Sequence, residues 1–106
     1  MTWAEKVIGA LTSVTDNVSH GGRLSGCRYI VWAEDRGKDL TADNRHSERA
    51  MTGTADLFTK DEFDQMVYMV EEAFDDFDVC WRLASTQYED ETGYWHYEWE
   101  WECTDG

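Results

Sequence analysis

The sequence predicts an α+β domain, two helices packed on a mostly antiparallel sheet in the order α-β-β-α-β-β. Two stretches carry apolar residues at three- and four-residue steps, the spacing of one helix face. The C-terminal run alternates apolar and polar side chains residue by residue, the mark of a half-buried strand. A short glycine-ended turn precedes that run and reads as a hairpin.

The first helical stretch covers residues 3–18. Trp3, Val7, Ala10, Leu11, Val14 and Val18 form its stripe, and Gly21-Gly22 supply the stop. Arg28 to Glu34 follows as a β-rich run around Tyr29-Ile30-Val31-Trp32, with both faces at least partly buried. Residues 35–46 are polar, mixed in charge and nearly free of apolar side chains, so they read as a long loop. The next strand is expected over 47–58, with Met51, Gly53, Ala55 and Leu57 on one face and Thr52, Thr54, Asp56 and Phe58 on the other. Gly53 inside that run predicts a bulge or a close backbone approach.

Thr59-Lys60-Asp61-Glu62 has the spacing of a capping box, which predicts a helix over about 60–77. Phe63, Met66, Val67, Val70, Phe74 and Phe77 form its apolar stripe, with Met69 and Ala73 beside it. Cys80 to Glu89 and Tyr94 to Cys103 are then two strands joined by Asp90-Glu91-Thr92-Gly93. On the last strand Trp95, Tyr97, Trp99, Trp101 and Cys103 point one way, and His96, Glu98, Glu100 and Glu102 the other. No repeat, low-complexity segment or second domain interrupts residues 1–106, which read as one domain.

The composition is 42% hydrophobic and 14% aromatic, which argues against disorder despite the net charge of −14. That charge is unevenly placed. Residues 1–60 hold eight acidic and eight basic side chains, whereas residues 61–106 hold fifteen acidic ones and only Arg82 against them. A field of that sign repels nucleic-acid phosphates and anionic lipid. It suits a basic protein patch, or simply a solvated face. The three cysteines, Cys27, Cys80 and Cys103, contain no C-x-x-C pair and read as reduced thiols of a cytoplasmic protein, with neither a disulfide framework nor a zinc site. The start, Met1-Thr2-Trp3-Ala4-Glu5-Lys6, has no basic region followed by an apolar run, so no signal peptide is expected. No apolar run approaches membrane-spanning length.

Chemistry-bearing constellations are weak. His96, Glu98, Glu100 and Glu102 share a strand face at two-residue spacing, near enough to hold a divalent cation with Glu89 or Glu91. Acidic strand faces are common, however, and the preferred reading is solvent exposure or a subunit contact, with no metal and no cofactor. His20, His46 and His96 fall in three different segments, none beside a serine or cysteine in a local motif. Gly21-Gly22 and Gly26 follow no strand that would make a dinucleotide fingerprint, and there is no P-loop. The chain is expected not to be an enzyme.

Several stretches together resemble a known family. They are Tyr29–Asp35, Ala42-Asp43-Asn44, Gly53-Thr54-Ala55-Asp56-Leu57-Phe58-Thr59-Lys60, Trp81-Arg82-Leu83, and Gln87-Tyr88-Glu89-Asp90-Glu91-Thr92-Gly93-Tyr94 with His96-Tyr97-Glu98-Trp99. Over residues 29–102 the chain is similar to the small tail-terminator (tail-completion) or minor capsid proteins encoded by long-tailed phages and prophages of Gram-positive bacteria. The resemblance implies a structural virion-assembly protein, with no catalytic signature. It implies a ring, usually hexameric, that caps the tail tube and meets the head-tail connector inside the host bacterium. Within that reading Arg36, Lys38 and Arg45 of one subunit are expected to meet Glu89, Asp90, Glu91, Glu98 and Glu100 of the next. Arg49 adds a fourth basic residue near the loop. The alternatives are a head-completion or neck protein, or a small acidic DNA mimic that inhibits a basic partner.

Overall fold

The computed structural model describes residues 1–35 and 50–106. Among them the elements run α1 (Trp3–Val14), β1 (Val18–His20), β2 (Arg28–Glu34), β3 (Ala50–Thr59), α2 (Met66–Asp76), β4 (Cys80–Glu89) and β5 (Tyr94–Thr104). The class is α+β, but the order is α-β-β-β-α-β-β. The five strands form one mixed sheet in the order β1-β2-β3-β5-β4, with β1 and β2 parallel and the other three pairs antiparallel.

The extra strand comes from the C-terminal part of the expected first helix. Thr2 caps α1 through a reciprocal capping box with Glu5, but Thr15 turns extended and ends the helix at Val14. The Asn17 backbone N–H bonds the Thr15 hydroxyl, a local turn that competes with helix. Val18, expected on the helical stripe, instead pairs with Ile30.

The start of the second helix differs too. The Thr59–Glu62 box does not form. The Thr59 hydroxyl accepts from Asp61 N–H and donates to Asp64, and Asp64 in turn accepts from Met66 N–H at 2.9 Å. Asp64 therefore caps α2, and the residues before it form a turn. Phe63, expected on the buried stripe, is 83% exposed, and Met69 is exposed as well. Met66, Val67, Val70, Ala73 and Phe74 do form the buried face. At the far end Asp78 takes a left-handed conformation (φ 62°), with Val79 N–H bonded to Phe74 O and Asp78 N–H to Asp75 O. Those are the bonds of a Schellman stop.

Both helices cover one face of the sheet. The core between them joins Leu11, Ile30, Leu57, Val70, Trp99 and Trp101, with Val7, Ala55, Phe74 and Cys103 alongside. Gly53 marks a close approach: a Cβ there would lie 2.2 Å from the Ala33 carbonyl and 2.4 Å from the Trp101 ring. The register through β3 is unbroken, so it is not a bulge. Lys6 is buried against this core, donating to Thr104 O at 2.9 Å and pairing with exposed Asp78 at 3.6 Å.

Candidate functional site

The opposite face of the sheet has two halves. At the hairpin end sits a second aromatic cluster, Tyr29, Val31, Phe58 and Tyr94. The connection between β1 and β2 folds over it. Arg23 lies 4.1 Å over the Phe58 ring and donates to the Tyr29 hydroxyl, while the Tyr94 hydroxyl donates to Gly26 O. Lys60 sits 4.0 Å over the Tyr94 ring and donates to Thr92 O. Two cations thus hold an aromatic cluster shut by stacking on ring faces.

His96 stacks on Phe58 and marks the border of this cluster. Its Nε2 lies 2.7 Å from Asp56 and its Nδ1 3.5 Å from Glu89. Glu89 also accepts from Arg23 at 2.9 Å and from the Thr92 hydroxyl at 2.8 Å. Partial burial raises the Glu89 carboxyl pKa, but the Thr92 and Arg23 hydrogen bonds outweigh it and hold the group below the usual carboxylate range.

Beyond His96 the face is, among the described residues, uncovered and acidic. Glu98 stands opposite Asp56, Glu100 opposite Thr54, and Glu102 opposite Thr52. Glu100 pairs with Arg82 of β4. Asp35, Thr52, Thr54, Arg82, Glu100 and Glu102 border a shallow depression of about 440 Å³.

The expected partner-contact residues are therefore not alike. Asp90 and Glu91 are exposed in the turn, Glu100 is exposed, and Glu98 is half-buried on the open face. Glu89 is committed inward to Arg23, Thr92 and His96. Arg36, Lys38, Arg45 and Arg49 lie outside the described residues, as does His46. Among the described residues no three histidine, cysteine or acidic side chains are arranged to hold a metal ion. His20 bonds Glu34 at 2.6 Å and stacks on Trp32, and His96 bonds Asp56; both histidines engage carboxylates. Cys27 and Cys80 are free and exposed, and Cys103 is free and buried. No described helix is long and apolar enough to cross a membrane.

Sequence reasoning missed the Arg23 lid. Arg23 lies in a polar turn with no periodicity, and its partners Tyr29 and Glu89 join only in the folded sheet. The Asp64 hub was missed for a different reason, because the Thr59–Glu62 spacing offered a competing cap. Asp64 is buried, and besides Met66 N–H and Thr59 it accepts from Arg28 at 3.1 Å. Burial raises its carboxyl pKa, but the hydrogen bonds and the Arg28 charge outweigh that and hold it below the usual range.

No protein-family model and no curated protein sequence matches the chain.

Proposed function

We propose that the chain is a structural subunit of phage tail assembly, a tail-terminator-like protein that caps the tail tube and helps join it to the head as a ring. One observation carries the reading. The two segments with the most specific resemblance, Thr54–Thr59 and Tyr88–Tyr94, lie far apart in sequence yet make one corner of the fold. The Phe58 and Tyr94 rings meet edge to face with centroids 6.0 Å apart, and Lys60, next after the first segment, donates to Thr92 O and sits over the Tyr94 ring. A motif pair that builds one tertiary unit is better support than two isolated strings.

The layout also suits a head-to-tail contact. Asp35 and Ala50, which flank residues 36–49, sit at the end of the sheet away from the Asp90–Gly93 turn. Arg36, Lys38 and Arg45 lie in sequence between those two flanks, and the exposed acids Asp90 and Glu91 stand at the other end of the sheet. Joining unlike ends is a heterologous contact, which closes into a ring when the rotation permits. Glu98 and Glu100 then line the channel or dock a basic patch of the connector. Glu89 is set aside from this contact because its carboxylate is already engaged. The reading assigns no catalysis, cofactor or metal.

Light scattering at low and high salt, with and without tail tubes, tests it. The parent should form a ring that salt weakens, because exposed charge pairs contribute only about 0–1 kcal/mol each. A variant with Arg36→Glu, Lys38→Glu and Arg45→Glu should stay monomeric. A parent that is monomeric at low salt even on tail tubes rules out the ring. A monomer that instead sequesters a basic enzyme points to the acidic-inhibitor class.

A further inference from the structure

We infer that the outer edge of β4, over Ser85–Glu89, is a strand-addition site for an extended basic segment of a partner protein. The two edges of the sheet differ. β1 is three residues long, whereas β4 runs for ten and, among the described residues, pairs only with β5. Natural sheets guard long edges with proline, lysine, bulges or a covering element. β4 contains no proline and no lysine, and its single cation, Arg82, is paired with Glu100. One register shift interrupts the strand, between Leu83 and Ser85, and leaves Ser85–Glu89 as a regular run into the hairpin. Among the described residues, the one backbone bond to this strand from outside β5 is the hairpin turn's own, Gly93 N–H to Glu89 O.

The two sides of that edge are chemically distinct. Toward the helices, Leu83 is 39% and Tyr88 49% exposed, opposite Trp99 and Trp95 of β5. The flank of α2 bearing Glu71 and Asp75 faces the same way, since Glu71 accepts from Trp99 and Asp75 from Trp81. Tyr68 shares that flank by helical spacing and is 61% exposed. Toward the other side stand Glu98 and Glu100. A strand added outside β4 lies about 10 Å from β5, two strand spacings. A lysine and a glutamate side chain span that together. Successive side chains of the incoming strand alternate, so apolar ones settle on Leu83 and Tyr88 while cationic ones meet the acids.

The charge chooses the occupant. Edge-to-edge pairing of two copies through β4 sets Glu71, Asp75, Glu98 and Glu100 of one against the same acids of the other, with only Arg82 on each β4 to offset them. A basic segment is matched instead. This inference rests on the edge and its two faces, not on the phage reading, so a chain that never forms a ring can still bind such a segment.

The probe is a synthetic eight-residue peptide alternating Lys with Val, carrying one Tyr, added to the full chain. Binding is followed by fluorescence and by amide hydrogen exchange. The peptide should bind and slow exchange of the outward-facing amides within Ser85–Glu89. Changing its Lys residues to Glu, or methylating alternate backbone nitrogens, should weaken binding at least about tenfold. The chain variant Leu83→Lys with Thr86→Lys should also bind about tenfold more weakly while keeping the parent melting temperature. Equal binding of the methylated peptide would overturn strand addition, as would protection that misses β4. Protection of β4 in a peptide-free dimer would assign the edge to a second copy and overturn the basic-segment claim.

Discussion

Strand β5 serves two surfaces that differ in almost every physical respect. Trp99, Trp101 and Cys103 point under the helices and are buried. Glu98, Glu100 and Glu102 point the other way onto a face that, among the described residues, carries little basic charge beyond Arg82. One face holds the fold by removing apolar area from water. The other adds charge density and contributes little to holding it. Alternation on a single strand can separate stability from recognition, so the two can be broken independently.

The helix-covered face should break hardest. Trp99→Ala removes a fully buried indole and its hydrogen bond to Glu71, and should cost about 3–5 kcal/mol in urea unfolding. A cost below about 1 kcal/mol would mean that Trp99 is not a core residue.

Asp64→Ala should come next. It strips the cap from Met66 N–H and leaves Thr59 and Arg28 without their shared acceptor, a loss of about 1–3 kcal/mol. The pH dependence has a fixed sign. The folded pKa of Asp64 is depressed, so its stabilisation is complete above the ordinary carboxylate value, about 4, and is lost as pH falls through the lower folded value. The stability difference between parent and Asp64→Asn, measured by denaturant titration, should therefore shrink as pH drops below about 4. A difference that stays constant down to the acid limit would contradict the hub.

The smallest effect belongs to Phe63→Ala. Its ring is exposed, so melting should shift by no more than about 0.5 kcal/mol equivalent. A large loss would restore Phe63 to the core stripe.

Much of this was legible in the sequence. The alternation from Trp95 to Cys103 places the core side chains correctly, because half-buried strands leave a period-two record. The inward face of β3 was legible for the same reason, and Gly53 signalled close approach. Less was legible where tertiary partners decide. Val18-Ser19-His20 is too short to show a period, and its parallel pairing with β2 is non-local. Phe63 fits a helical stripe, yet Asp64 caps the helix one residue later and leaves it outside. The acids of the candidate site could be read directly. That Glu89 is consumed while Glu98 and Glu100 stay on the open face could not, because Arg23 reaches Glu89 across sixty-six positions.

The separation of the two faces is tested most directly by thermal melting of the variant Glu98→Gln, Glu100→Gln, Glu102→Gln. Crowded like charge destabilises a compact state, so its melting temperature should equal or exceed that of the parent, and any gain should shrink as salt is added. A fall of more than about 5 °C, roughly 1 kcal/mol for a domain of this size, would contradict the account by showing that the acid face helps hold the fold.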